Sequence, residues 1–196
     1  MSKDANSGRE LEHEHQFQTL SAAEGAIPPH LAGLQRGSGL RSLCSAGCGI
    51  VGRSEAAEFI RENFPPVKAH IKEHPAWFHR FDAVWTPTVL LLDAAGKERA
   101  RLEGYLPNHD FMAALKNGLG RIAFVQKKYA DAERWYGDVV AHYGDSHFAP
   151  EAMYWRAVAQ YSASHDHTAL GKVAEELRSK YPSSVWASKT IPWLSS

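Results

Sequence analysis

A proline at the mouth of a buried strand is the feature that most narrows what this chain can become. "VWTPTVLLLD" places Pro87 directly before Thr88–Leu92, a run apolar and branched enough for a strand covered on both faces. Proline has no N–H to give a ladder, so it fits a strand entrance and not a strand centre. Asp93–Gly96 has turn chemistry and "KERARLEG" alternates up to Gly104, which together predict a β-hairpin. "PNHDFMAALKNGL" then predicts a helix with Asn108 as N-cap and Phe111, Met112 and Leu115 on one face.

The preceding segment is equally patterned. "EAAEFIRENF" carries Ala56, Phe59, Ile60 and Phe64 at helical spacing, and "PPVKAHI" alternates Val67, Ala69 and Ile71 as a strand does. "HPAWFHRFDA" is a short helix opened by Pro75, a residue tolerated in a first turn. Over residues 55–119 the order is therefore helix, strand, helix, hairpin, helix. That order, the "TPT" before an apolar strand and the glycine after the next strand resemble the thioredoxin superfamily. The resemblance implies an α/β thioredoxin-like domain over residues 21–119, in which Pro87 is cis and lies beside a redox site. It also implies that the backbone at Trp85 and Thr86 meets an extended substrate. An X–Pro bond prefers trans only weakly, so a fold can fix the cis form there.

The redox chemistry of that family needs a thiolate at a helix N-terminus, where unpaired N–H groups lower its pKa, and a second thiol one turn on. The two cysteines of this chain, Cys44 and Cys48, are the candidate catalytic residues, but three residues separate them where the family has two. The "GIVG" that follows is also a poor helix start. In a second register Cys48 and Gly49 take the places of the family's nucleophile and glycine, leaving Val51 where the resolving cysteine belongs. The bland alternative is a pair of structural or idle thiols. The cysteines sit in a Gly-, Pro- and Ser-rich stretch, Gly25–Gly52, that lacks sustained helix or strand period. "LRSLC", Leu40–Cys44, can be encoded so that a one-base shift yields Cys-Gly-Pro-Cys. The same shift over "PHLAGLQR" permits a buried strand ending in Asp-Phe. A frameshifted reading of residues 24–54 is thus one account of the anomaly. It predicts an impaired site, unpaired edges in the sheet and low stability.

Residues 1–20 are polar and rich in His and Glu, which predicts a loose or helical lead-in. Residues 120–196 hold no strand-like run and are rich in Ala, Tyr and Trp at helical spacing, which predicts an all-α region. "KKYADAERWYGDVV" followed by "APEAMYWRAVAQY" resembles a tetratricopeptide helix pair. "HYGDSHFA" at His142 recurs as "KYPSSVWA" at Lys180, close to the period of about 34 residues of such repeats. Trp135, Tyr136, Tyr154, Trp155 and Tyr161 are then repeat core, and a groove, if formed, binds a peptide or another protein.

Charge excludes more than it suggests. The 22 basic and 22 acidic residues cancel, so no footprint for nucleic acid or an anionic membrane exists. The start "MSKDANSGRELEHEHQFQ" lacks the basic flank and apolar run of a signal peptide, and the expectation is a soluble cytoplasmic protein. "HEH" at His13–His15 and "HDH" at His165–His167 are solvated and lack a third ligand nearby, so no metal site and no cofactor is expected. No phosphate loop and no nucleophile elbow occurs. Two functions remain: thiol–disulfide exchange on protein partners, impaired by the cysteine spacing, or a redox-inactive binding module using its helical surface.

Overall fold

The computed structural model describes residues 16–21 and 55–195. Its element order is β1 (Gln16–Ser21), α1 (Glu55–Asn63), β2 (Pro66–His70), α2 (Pro75–Arg80), β3 (Thr88–Leu92), β4 (Glu98–Glu103), α3 (Asn108–Val125), α4 (Tyr129–His142), α5 (Ala149–Ser164), α6 (Thr168–Lys180) and α7 (Val185–Lys189), closed by a 3-10 turn at Ile191–Ser195. The four strands form one sheet in the order β2-β1-β3-β4.

Strand β3 organises the domain, and its sequence says why. All five residues are buried, and a period of two sends alternate side chains to opposite faces. Val89 and Leu91 enter one core with Ala56 and Ile60 of α1 and Phe111, Met112 and Leu115 of α3. Leu90 and Leu92 enter a second core with Ala69, Phe78 and Phe81, under α2. Helices therefore cover both faces, as a continuous apolar strand requires. The β3–β4 hairpin is antiparallel, with Thr88 opposite Glu103. Its turn is fixed by Asp93, whose Oδ1 accepts from the Ala95 and Lys97 N–H groups at 2.9 and 3.0 Å. Burial alone would raise that carboxyl, but the Lys97 N–H, the Arg99 guanidinium and the Ala95 N–H outweigh it and hold it below the usual range.

Two expectations need correction. Gln16–Ser21 is not a loose or helical lead-in but a strand inside the sheet, antiparallel to β2 and parallel to β3. The physical reason is edge pairing: β2 and β3 each present a row of backbone donors and acceptors, and a ladder between them satisfies both. Asn108 is not the N-cap of α3 but its first residue. Pro107 holds the cap position without a side-chain cap bond, and its carbonyl accepts from the Phe111 N–H at 2.8 Å.

Helix α3 runs unbroken through residues 119–120 to Val125, and it is not amphipathic. From Phe111 to Phe124 none of its residues is exposed. One face packs on the sheet, where Gly118 lies against Leu91, and the other packs on α4, where Gly120 lies against the ring of Tyr136. A single core cluster consequently runs from Ala56 and Leu91 through α3 to Ala132, Tyr136, Val139 and Ala152. Beyond it α4, α5 and α6 stack as successive antiparallel neighbours, with Met153, Ala157, Val173, Leu177 and Ala187 forming a third cluster. Of the aromatic stripe, Tyr136 is fully buried, Trp135 packs edge-on against Phe59 and Trp155 against Phe124, whereas Tyr161 is exposed.

Candidate functional site

The loop from Phe81 to Pro87 is held from beneath and open above. Arg101 of β4 is the clamp: its Nη2 donates to the Phe81 carbonyl and its Nη1 to the Asp82 carbonyl at 3.3 Å. The guanidinium is itself oriented by Glu98, at 2.7–2.9 Å, and by Glu103 at 3.2 Å. Those carboxylates, Glu98 first, push the Arg101 pKa further up against the effect of burial, so its charge is permanent. At the strand entrance the Thr88 hydroxyl donates to the Trp85 carbonyl at 2.6 Å and the Gly104 N–H donates to the Pro87 carbonyl at 2.8 Å. Gly104 sits at φ +82°, a conformation that disfavours side chains and turns the chain out of β4 at this point. The Thr86–Pro87 peptide bond is cis.

Pro87 and Thr88 are buried and Thr86 half-buried, whereas the chain just outside them stands in solvent. Val84 is 80% exposed, Trp85 65% and Tyr105 70%. Three large apolar side chains thus stand on the two segments joined by the Pro87–Gly104 bond, which is the kind of exposed apolar surface that marks a contact site. Of the five site residues expected from sequence, Trp85, Thr86 and Pro87 fall on this loop. Cys44 and Cys48 lie outside the described residues, as does the whole stretch 24–54 and the "HEH" at His13–His15. The sequence reading missed Val84, Tyr105 and Arg101. A partial signal existed: an aromatic directly after the glycine that ends β4 must emerge beside whatever faces that strand end.

A second polar cluster, between the N-terminus of α3 and the α4–α5 turn, has the composition of a hydrolase but not its wiring. Ser146 Oγ donates to Asp110 Oδ1 at 2.6 Å, and His147 Nδ1 lies 3.4 Å from Asp110 Oδ2. The carboxylate therefore stands between serine and histidine, and among the described residues no imidazole contacts the hydroxyl to take its proton. Ser146 Oγ instead accepts from the Phe148 N–H at 3.2 Å. The Ser146 bond, against burial, holds Asp110 below the ordinary carboxylate range, and His109 Nε2 pairs with Asp145 at 2.6 Å alongside. The role is to fasten α3 to the helical region. The "HDH" at His165–His167 is also architectural: His165 ends α5 at φ +59° and Asp166 accepts from the Thr168 N–H and hydroxyl at the start of α6. Among the described residues no group of His, Cys, Asp and Glu could hold a metal ion, and no helix is long and apolar enough to cross a membrane.

Fold and loop together define the class: a thioredoxin-like α/β domain followed by a helix-rich region. In agreement, residues 45–119 match the family model described as a thioredoxin-like domain. The matched stretch begins after Cys44 and takes in Cys48. No curated protein and no solved structure matches the chain.

Proposed function

We propose that this chain is a thioredoxin-like protein that engages polypeptide partners at the Pro87 loop and carries out thiol–disulfide exchange in an impaired form, through Cys44 and Cys48. The observation that supports it most is the exposure of Val84, Trp85 and Tyr105 around a loop whose backbone is fixed by Arg101, Thr88 and Gly104. In the reaction, one thiolate attacks a partner disulfide, forming a mixed disulfide and releasing one partner thiolate. The second cysteine then attacks the mixed disulfide, so the partner leaves as a dithiol and Cys44–Cys48 takes the oxidised form, two electrons having moved to the partner. The three-residue gap makes the second step the slow one.

The assay is reduction of a disulfide-bonded peptide with dithiothreitol as electron source. We expect slow turnover that disappears in Cys44→Ser and Cys48→Ser and falls about tenfold in kcat/KM with Trp85→Ala. Alkylation rates against pH must show a thiol titrating below the free value of about 8.5. Absence of such a thiol removes the exchange reading. What then stands is a redox-inactive binding module, in which the same exposed loop and the tetratricopeptide-like helices hold partners without thiol chemistry. That second reading is favoured by the cysteine spacing, and it requires that partner binding survive both serine substitutions.

A further inference from the structure

Charge is divided along the β3–β4 hairpin. At its turn end the arginines are occupied: Arg99 pairs with Asp93 at 2.6 Å, and Arg80 reaches the Gly96 carbonyl with Nη2 at 3.2 Å. At the end that meets the Pro87 loop the surplus is negative. Arg101 there is shared between two carboxylates, Glu98 at 2.7 Å and Glu103 at 3.2 Å. The exposed Asp82 carboxylate adds a third charge and has no hydrogen-bond or ion-pair partner among the described residues. One nitrogen holds Asp82 and Glu103 side by side: Arg101 Nη1 donates to the Asp82 carbonyl at 3.3 Å and to Glu103 Oε1 at 3.2 Å. His109, four residues beyond Tyr105, is itself paired with Asp145 at 2.6 Å.

These carboxylates stand on the same two segments as the exposed apolar side chains. Asp82 precedes Val84 and Trp85 by two and three residues, Glu103 precedes Tyr105 by two, and the Gly104 N–H bond to the Pro87 carbonyl joins the segments. Each segment thus presents a carboxylate close to a large apolar group. Neither feature selects a ligand alone, since an apolar patch accepts any hydrophobic surface and an exposed carboxylate is content in water. Together they discriminate. Burying an apolar side chain of a partner here brings that partner's neighbouring charges against Asp82 and Glu103, which repel a carboxylate and attract a lysine or arginine.

We propose that the Pro87 loop selects polypeptide segments that are both apolar and basic: an aliphatic or aromatic side chain seats on Trp85 and Tyr105, and a lysine or arginine next to it in the partner meets Asp82 and Glu103. The proposal rests on the reading of this loop as the partner-binding site and names its preference; the thiols play no part in it. Asp82 and Glu103 are then the residues that set specificity, and Arg101 positions both.

The test uses the full chain and two fluorescent peptides, Gly-Lys-Phe-Ser-Leu-Lys-Gly and its counterpart with glutamate for each lysine; serine stands where a partner cysteine would, so no covalent capture occurs. Anisotropy at low salt should show the lysine peptide binding about tenfold tighter or more, with the difference shrinking as salt is raised. Asp82→Asn combined with Glu103→Gln removes both charges, keeps an acceptor for Arg101, and suits the φ of +46° at position 82, which asparagine tolerates. In that variant, its fold checked by a circular dichroism melt, the two peptides should bind alike, and Asp82→Asn alone should give an intermediate ratio. Trp85→Ala should weaken both peptides by a similar factor. Equal binding of the two peptides by the unaltered chain, or a lysine preference that survives both charge removals, overturns the proposal while a Trp85 effect leaves the loop as a partner site. If neither peptide binds, or Trp85→Ala changes neither, the partner-site reading falls and the preference falls with it.

Discussion

Substituting alanine for two helical glycines separates propensity from packing in this fold. In a helix interior Gly→Ala is favourable by about 1 kcal/mol, since alanine loses less backbone freedom on folding. At Gly137 of α4 that gain is realised: an added Cβ meets Arg156 Nε at 3.6 Å, an ordinary contact. At Gly120 of α3 the same Cβ would stand 2.7, 2.8 and 2.9 Å from Cε1, Cζ and Cδ1 of Tyr136. The ring is fully buried between α3, α4 and α5 and cannot swing aside. Overpacking of this kind costs about 1–3 kcal/mol, which exceeds the propensity gain at most of that range. Gly120→Ala should therefore lie about 1–3 kcal/mol below Gly137→Ala in stability. For a chain of this length each kcal/mol moves the melting temperature by about 2–4 °C, and urea midpoints followed by tryptophan fluorescence measure the same gap. Equal stability of the two variants would refute the reasoning, because it would mean that α3 and α4 are free to move apart.

Two carboxylates make opposite predictions with pH. Asp110 is lowered by its Ser146 and His147 partners, so its contribution is present above the unfolded value of about 3.9 and is lost as pH falls through the folded one. Asp110→Ala should cost about 1.5–3 kcal/mol at neutral pH, and urea titrations of the two proteins should converge in acid. Glu151 of α5 is raised by burial, only partly offset by Arg121 and Lys189, so folding is disfavoured increasingly as pH rises from the unfolded value of about 4.3 through the folded one. Glu151→Gln should raise the urea midpoint at pH 7 and leave it unchanged below about pH 4; a neutral-pH loss would contradict the sign.

Much of the fold was legible because its signals are local. Thr88–Leu92 can be little other than a strand covered twice, and the Asp93–Gly96 turn and the helix pair α4–α5 announce themselves by residue type and period. Strand β1 was not legible: "QFQTLS" has no apolar run, and its place follows from the unpaired edges of two strands far along the chain. Helix α3 was half legible. Phe111, Met112 and Leu115 marked one face, while the burial of the Ala and Gly face depends on how closely α4 approaches, which no periodicity states. At the site, Trp85, Thr86 and Pro87 followed from the strand entrance. Tyr105 and Arg101 join them only through the β3–β4 register, in which the Gly104 N–H reaches the Pro87 carbonyl.

The double-sided burial of α3 also bears on how such a sequence can drift. A helix with a solvent face has positions where almost any substitution is tolerated, and change accumulates there first. Between Phe111 and Phe124 this helix has none: only Lys116, Arg121 and Phe124 are even partly open, and Lys116 is engaged with Asp138 while Arg121 lies over Trp155. Substitutions here must suit the sheet and the helical array at once, so a change that fits one neighbour has to be matched by a change in the other. The junction is therefore the part of this chain with the least room to vary, and it locks the two halves into a shared history.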